Sequence, residues 1–131
     1  MSSRFRDGGG FEEMAAYSRA ARHGDVIAVS GTAATGPDGA ALHPGDAYAQ
    51  TRDAITRALA AAAELGAARA DVLRTRIYLL QGCEWEGAVR AHQEAFAGVD
   101  PANTTLYVAG FIPPGVLVEV ELDAVLAGPP R

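Results

Sequence analysis

Lysine is absent from this 131-residue chain, so all 11 of its basic residues are arginines. The absence excludes Schiff-base chemistry on a lysine amine, and it excludes the phosphate-binding lysine of a P-loop. Sixteen acidic residues set against the arginines give a formal net charge of −5. Because nucleic-acid surfaces need concentrated positive charge, this balance argues against a nucleic-acid partner.

Cysteine is nearly absent as well. The single thiol, Cys83, excludes an intramolecular disulfide and fits a reducing, cytoplasmic location. The three histidines, His23, His43 and His92, are scattered, so no metal-ligand spacing is present and no metal site is predicted. No apolar run reaches the roughly 18 residues of a membrane helix, and no apolar stretch follows the arginines of residues 1–10. We therefore expect neither a membrane partner nor a secretory signal.

What is present is the composition of one small globular domain. Hydrophobic residues make up 49% of the chain and charged residues 21%, and the length is enough for a single core. Residues 1–10, which contain three consecutive glycines, are interpreted as a flexible lead-in. The domain itself is predicted over residues 11–127, followed by a short tail at 128–131.

Hydrophobic periodicity and turn residues predict five strands and two helices. Asp46 is a plausible N-cap for the first helix, and Gly66 stands where a C-terminal glycine belongs. A further short strand near residues 40–42 is left open. In chain order the elements are strands at 17–22 and 26–29, a helix at 46–65, a strand at 72–80, a helix at about 84–96, and strands at 104–109 and 116–126.

This order predicts an α+β sandwich, in which both helices cover one face of a mostly antiparallel sheet. The last strand alternates, with Glu119, Glu121 and Asp123 on one face and apolar residues on the other. The polar face has no predicted helix to cover it. In so short a chain, another copy of the same chain is the natural cover.

Seven short motifs in this order resemble the RidA/YjgF/YER057c/UK114 family. The resemblance spans about residues 11–127, and it rests on the ordered set rather than on any single motif. The motifs are YSRA at 17–20, GD at 24–25, VSG at 29–31, QTR at 50–52, DVLRT at 71–75, PA at 101–102 and LVEVE at 117–121.

The resemblance implies a chorismate-mutase-like fold, a homotrimer, and ligand clefts between neighbouring subunits. It also implies a small-molecule enzyme that uses no cofactor. The best-known family activity is hydrolysis of enamines and imines, such as 2-aminoacrylate, to a 2-oxo acid and ammonia. A non-catalytic module that binds a metabolite or partner is the alternative. Endoribonuclease activity, a label that the family has carried, is a remote third alternative.

Carried over residue by residue, the resemblance implies roles for five positions. Tyr17 matches the tyrosine of the family's cleft, and Glu119 matches the acidic residue that holds or activates water. Ser30 and Gly31 match the segment that contacts the ligand. Glu121 is the alternative acid, because it shares the strand parity of Glu119.

One departure from the family pattern concerns the substrate carboxylate. The deaminases bind it with an arginine shortly after the Pro-Ala pair, whereas this chain has Asn103 there, with Thr105 close behind as a second candidate substrate-binding residue. Loss of a charge-assisted pair costs about 2–5 kcal/mol, which is roughly 30- to several-thousand-fold in affinity. Arg90 on the second helix is the first candidate substitute.

Arg74 and Arg76 are weaker substitutes. They share one face of their strand, where they would either look into the cleft or pair with the acids of the last strand. His92, on the second helix, is interpreted as a packed or hydrogen-bonded residue rather than a catalytic one.

Overall fold

The structure is a computed structural model, and it describes residues 2–127. This part of the chain forms six strands and three α-helices. They are β1 (Ser2–Phe5), α1 (Gly10–Ala15), β2 (Ala20–His23), β3 (Val26–Thr32), α2 (Ala47–Glu64), β4 (Val72–Leu80), α3 (Glu86–Phe96), β5 (Ala102–Val108) and β6 (Val118–Val125), with a 3₁₀ turn at Arg69–Asp71 before β4.

The strands form one six-stranded sheet in the order β1-β2-β3-β6-β4-β5. All neighbours pair antiparallel except β4 and β5, which are parallel and joined by the α3 crossover. The register between β3 and β6 shifts between Val29 and Thr32, which marks a bulge at the end of β3. The α+β fold with a mostly antiparallel sheet is therefore as predicted.

The long helices α2 and α3 pack together on one face of the sheet. α2 begins where predicted, because the Asp46 side chain accepts a hydrogen bond from the Ala49 N–H at 3.0 Å. Its small side chains, among them Ala54, Ala58 and Ala61, are fully buried and let the helix lie close to the strands. Gly66, with φ +105°, adopts the left-handed conformation that ends the helix at little steric cost.

The apolar residues of β6 face the helices, and its acids lie on the opposite face, as the alternation predicted. Val118, Val120 and Leu122 are fully buried. The register places Glu119 opposite Tyr78 and Glu121 opposite Arg76 on β4. The polar face of the sheet is therefore half-exposed in the single chain.

The structure differs from the expectation at the N-terminus. Ser2–Phe5, expected to belong to a flexible lead-in, form β1 and pair with β2. The strand predicted over residues 17–22 begins only at Ala20, because the three residues before it follow α1 in an irregular segment. The open question near 40–42 resolves as a single bridge between Thr35 and Ala41. The predicted tail at 128–131 lies outside the described residues.

Within residues 2–127, no helix is both long and apolar enough to cross a membrane.

Candidate functional site

A cavity of about 630 Å³ opens where β2 begins and β3 ends. Tyr17 and Arg19, which precede β2, line it together with Gly31 and Thr32 from the bulged end of β3. Glu119 of β6 completes this polar wall. Three of the five residues, Tyr17, Gly31 and Glu119, are candidates that the motifs singled out, so the structure brings them into one cavity.

The rest of the cavity lining is mostly apolar. Phe5 and Phe11 come from the N-terminal segment, and Ile112 comes from the loop before β6. Ile112 is 85% exposed in the single chain. Arg57 and Glu64 of α2 add charge to the rim. The cavity lining therefore combines apolar side chains with the polar groups of Tyr17, Arg19 and Glu119.

The Arg19 guanidinium is the centre of the polar wall. Its Nη2 donates to the Tyr17 hydroxyl at 3.0 Å, and its Nη1 donates to Thr32 Oγ1 at 3.2 Å and to the Gly31 carbonyl oxygen. Asp7 Oδ2 lies 3.5 Å from Arg19 Nε, an ion-pair distance, yet this buried Nε has no hydrogen-bond partner among the described residues. Arg19 thus fixes the phenol and the end of β3 with respect to each other.

Gly31 is required by the close approach of Glu119. A Cβ placed on Gly31 would overlap Glu119 Oε1 and would lie 3.1 Å from Glu119 Cδ. The carboxylate therefore occupies the space that any larger residue at 31 would fill. Here the glycine permits a close contact with the Glu119 side chain, rather than a turn.

The environment of Glu119 suits proton transfer. Burial raises the pKa of Glu119 above its ordinary value of 4.5, the nearby charge of Arg19 opposes this rise, and Glu121 adds to it. Desolvation disfavours the charged form of a carboxyl, so this group holds a proton more readily than an exposed glutamate does. A carboxyl group with a raised pKa can both donate and accept a proton during a reaction.

Glu121, the alternative acid, has a different environment. Its carboxylate accepts a short hydrogen bond from the Tyr78 hydroxyl and does not line the cavity. That bond is also the largest cause of the raised pKa of Tyr78. Asp123 pairs with Arg76 at 3.2 Å, which is the structural pairing considered for that arginine.

Ser30 lies beside the cavity without lining it. Its hydroxyl donates to the Ser18 carbonyl oxygen at 2.7 Å, and its amide donates to the Arg19 carbonyl oxygen at 2.9 Å. Ser30 therefore connects the end of β3 to the segment that carries Tyr17 and Arg19. Its role as a ligand contact stays a prediction.

Arg90, Asn103 and Thr105 lie away from this cavity. Arg90 is exposed on α3, where its guanidinium stacks over the Tyr48 ring at 4.2 Å from the centroid. Within one chain, Arg90 thus does not supply the cation that Asn103 fails to provide.

Asn103 and Thr105 belong to a hydrogen-bond chain at the edge strand β5. Asn103 Nδ2 donates to Thr75 Oγ1 at 3.1 Å, and the Thr105 hydroxyl donates to Asn103 Oδ1 at 2.8 Å. Thr75 Oγ1 in turn lies 2.7 Å from His92 Nε2. Because Thr75 Oγ1 accepts a hydrogen bond from Asn103, the Thr75 hydroxyl proton is free to bond a neutral His92 ring. Burial lowers the pKa of His92, which favours this neutral form.

Sequence reasoning missed Arg19 and Arg57 as residues of the site. Arg19 stands inside the YSRA motif, but its neighbours in space depend on the β2–β3 register and on the bulge. Arg57 reaches the rim from α2, where Asp53 Oδ1 at 2.8 Å and the Thr35 carbonyl oxygen at 2.7 Å hold its guanidinium. Among residues 2–127 there is no cluster of three or more metal-ligating side chains.

Comparison with known proteins places the chain in a family. A family model described as endoribonuclease L-PSP matches residues 10–126. An uncharacterised protein of Streptomyces coelicolor is 40% identical over 121 residues, which cover 92% of this chain and 90% of that relative. A RutC family protein of Pyrococcus abyssi is 30% identical over 108 residues, which cover 82% of this chain and 84% of that relative.

A solved structure also places the chain in this family. The crystal structure of a YjgF/YER057c/UK114 family member from Mycobacterium tuberculosis superposes with a TM-score of 0.86 at 37% identity. The match covers 96% of this chain and 100% of that one. The chain therefore belongs to the YjgF/RidA family, whose family model carries the description endoribonuclease L-PSP.

Proposed function

We propose that this protein is a small-molecule enzyme that hydrolyses an enamine or imine, or moves a proton in a related unsaturated metabolite, with Glu119 as general acid and base. The observation that carries the proposal is the half-buried Glu119 carboxylate seated against Gly31 in a cavity that it shares with the Tyr17 phenol. Burial raises the pKa of Glu119, which supports both proton donation and proton acceptance.

The reaction needs only proton transfers and one water molecule. Protonated Glu119 gives its proton to the enamine carbon, which leaves an iminium ion. The carboxylate then takes a proton from water as the water oxygen bonds to the iminium carbon. Glu119 returns that proton to nitrogen and accepts the hydroxyl proton as the C–N bond breaks, so that an oxo compound and ammonia leave and Glu119 is protonated again.

Tyr17 is proposed to orient the substrate. Its hydroxyl oxygen accepts a hydrogen bond from Arg19, so its own proton remains for an acceptor in the cavity. A phenol O–H directed at a developing negative charge stabilises it without reorganisation. Glu119 and Tyr17 are the proposed catalytic residues.

The proposed substrate class extends beyond 2-aminoacrylate. Asn103 offers an amide without charge, and it is engaged with Thr75 and Thr105. The cavity volume and its apolar wall of Phe5, Phe11 and Ile112 fit a ligand larger than a three-carbon acid. We therefore propose a substrate with an apolar substituent on the unsaturated carbon.

The proposed assembly is a homotrimer with the site near a subunit boundary. The sheet face that carries Tyr78 and Glu121 is half-exposed in the single chain, and the exposed Phe11 and Ile112 lie at the cavity. Contact with a neighbouring chain would cover both. In such an assembly Arg90, Asn103 and Thr105 would reach a ligand only across the boundary.

The test couples the protein to an enzyme that releases a reactive enamine. A serine dehydratase supplies 2-aminoacrylate, and an amino-acid oxidase acting on leucine or phenylalanine supplies imines with apolar substituents. Faster release of the 2-oxo acid than the spontaneous rate supports the proposal, and we expect the apolar imines to be preferred.

Two variants serve as probe and control. We expect Glu119→Gln to lower the rate by about 100-fold or more, which is the usual contribution of a general acid or base. Glu121→Gln, which removes the same charge two residues away, should retain most of the activity. Ligand binding without turnover in the parent protein would favour the non-catalytic module, and RNA cleavage that is lost in Glu119→Gln would favour a nuclease.

A further inference from the structure

Arg19 has an environment that a surface arginine does not have. Its side chain is 14% exposed, and its donors meet the Tyr17 hydroxyl, Thr32 Oγ1 and the Gly31 carbonyl oxygen. Its guanidinium carbon also lies 5.5 Å from the centroid of the Tyr17 ring. Because a buried guanidinium is costly to desolvate, so many partners within one cavity point to a functional placement.

We propose that Arg19 is the positioning residue of this site: it fixes the Tyr17 phenol as a hydrogen-bond donor and supplies the positive charge that acts on Glu119. This inference deepens the proposed function and rests on it. Arg19 does not exchange a proton with the substrate. It acts through Tyr17 on one side and through Glu119 on the other.

The first part of the proposal follows from which atoms of Arg19 and Tyr17 can donate or accept a hydrogen bond. An arginine has donors only, so Nη2 can bond Tyr17 only at the phenol oxygen. The phenol proton is then free to bond an acceptor. The Arg19 hydrogen bond thus orients Tyr17 as a donor whether or not a ligand is present. A lysine at this position would keep the charge but would lose the planar fork that reaches Tyr17 and Gly31 together.

The second part follows from the short path between Arg19 and Glu119. Nη1 bonds the carbonyl oxygen of Gly31, and the α-carbon of that glycine lies against the Glu119 carboxylate. The positive charge of Arg19 lowers the pKa of Glu119 against the larger effect of burial. The other charged or titratable groups around Glu119 are Glu121 on its own strand, Tyr78 opposite it on β4, and Asp7, Tyr17, Arg57 and Glu64 in the cavity lining.

The backbone around Arg19 is also held in place. The buried Glu12 carboxylate accepts hydrogen bonds from the amides of Arg19 at 2.9 Å, Gly8 at 2.9 Å and Asp7 at 3.2 Å. The Tyr17 amide donates to the Glu12 carbonyl oxygen at 3.1 Å. Glu12 therefore fixes both ends of the segment that presents Tyr17 and Arg19 to the cavity.

The experiment compares Arg19→Gln and Arg19→Lys with Arg22→Gln. Arg22 also donates to backbone carbonyls, at Gly24 and Leu65, but it lies outside the cavity. Titration of ¹³C-labelled glutamate carboxylates by NMR follows Glu119 directly, with its resonance assigned by its loss in Glu119→Gln. We expect Arg19→Gln to move the Glu119 midpoint to higher pH and Arg22→Gln to leave it unchanged.

Kinetics test the link to Tyr17. Arg19→Lys keeps the charge, so we expect its Glu119 midpoint to stay near the parent value while kcat falls by roughly 100-fold, a loss typical of a misplaced group. The limb of the pH–rate profile on which activity falls as Glu119 loses its proton should move to higher pH only in Arg19→Gln. Thermal unfolding and an amide NMR spectrum check that each variant folds. If Arg19→Gln does not fold, the kinetics of Arg19→Lys still test the positioning role.

The outcomes separate this inference from the proposed function. An unchanged Glu119 midpoint in a folded Arg19→Gln protein, or parental kcat and pH profile in Arg19→Lys, would overturn the positioning role even if the parent is active. Absence of turnover in the parent would overturn the proposed function. In that case the NMR midpoint still decides whether Arg19 acts on Glu119.

Discussion

At the scale of single residues, Gly31 shows how one missing side chain shapes a site. The space next to its α-carbon is occupied by the Glu119 carboxylate. Gly31 is not among the residues with positive φ, so an alanine there would not strain the backbone. The role of Gly31 can therefore be tested by adding a single methyl group.

We expect Gly31→Ala to displace the Glu119 carboxylate and to lower kcat on the preferred imine by about 100-fold. Because the displaced group is the far end of a flexible side chain, the free energy of unfolding should change by less than about 1 kcal/mol. Coupled assays and urea denaturation measure the two effects. Gly110→Ala is the matched control, since its added Cβ would meet nothing within 4 Å. Equal activity of both variants would contradict the close contact.

Glu119 also makes stability depend on pH. Burial raises its pKa in the folded state, so the folded protein holds this proton more tightly than the unfolded chain does. The resulting loss of stability is absent well below pH 4.5, develops as pH rises through the window between the unfolded and folded pKa values, and is complete above it. A desolvated carboxylate in this position therefore lowers stability at neutral pH.

We expect Glu119→Gln to have a higher Tm than the parent at pH 7, and the difference to disappear as pH falls well below 4.5, where both side chains are neutral. Differential scanning calorimetry across this range measures the difference. Glu13→Gln, which changes an exposed side chain on α1, controls for the loss of surface charge. A Tm for Glu119→Gln at or below that of the parent at pH 7 would mean that the carboxylate is stabilised rather than desolvated.

At the scale of elements, the sequence predicted what local patterns determine. The N-cap of α2, the glycine that ends it and the alternation in β6 are each encoded within a few residues, and the structure has them as expected. The parallel pairing of β4 with β5 depends on residues almost 30 positions apart, such as Thr75 and Asn103, and no local pattern reports it.

The N-terminal elements were missed for a physical reason. β1 consists of Ser2, Ser3, Arg4 and Phe5, which show no apolar alternation, and it exists because the edge of β2 accepts it. α1 has only six residues, which is too short to be stable alone. Its stability comes from the Glu12 carboxylate, a tertiary contact that sequence periodicity does not contain.

We expect Glu12→Gln to lower the free energy of unfolding by about 2 kcal/mol, because hydrogen bonds to a buried charged acceptor are lost and an amide N–H₂ then faces backbone donors. Urea denaturation measures the loss, with the exposed Glu13→Gln as control. Hydrogen exchange locates it: the amides of Asp7, Gly8 and Arg19 should exchange faster. Unchanged protection of all three amides would argue against the contact.

At the scale of the whole molecule, the site combines features that sequence motifs locate with features they do not. Tyr17, Gly31 and Glu119 were found by resemblance, and they line one cavity. Arg19 and Arg57 join them only because the β3 bulge and the position of α2 bring distant segments together. The sequence alone showed that Asn103 replaces the family's arginine. The structure was needed to show that Arg19 and Arg57 lie at the cavity.

The half-exposed face of the sheet can be tested as an interface between copies of the chain. Leu80 lies at the end of β4 on the same face as Tyr78 and Glu119, by strand alternation. If another copy covers this face, an arginine at position 80 is buried without a partner and association becomes unfavourable. Val89 is 43% exposed on α3, on the opposite side of the sheet, so an arginine there meets solvent.

We therefore expect the parent and Val89→Arg to have a solution mass three times the 13.6 kDa of one chain, and Leu80→Arg to be monomeric. Sedimentation equilibrium measures the mass, and circular dichroism checks that the monomer stays folded. If the site is completed at the subunit boundary, the Leu80→Arg monomer also loses turnover, whereas a trimeric Leu80→Arg would place the interface elsewhere. A folded monomer with parental activity would keep the interface but show that one chain suffices for catalysis.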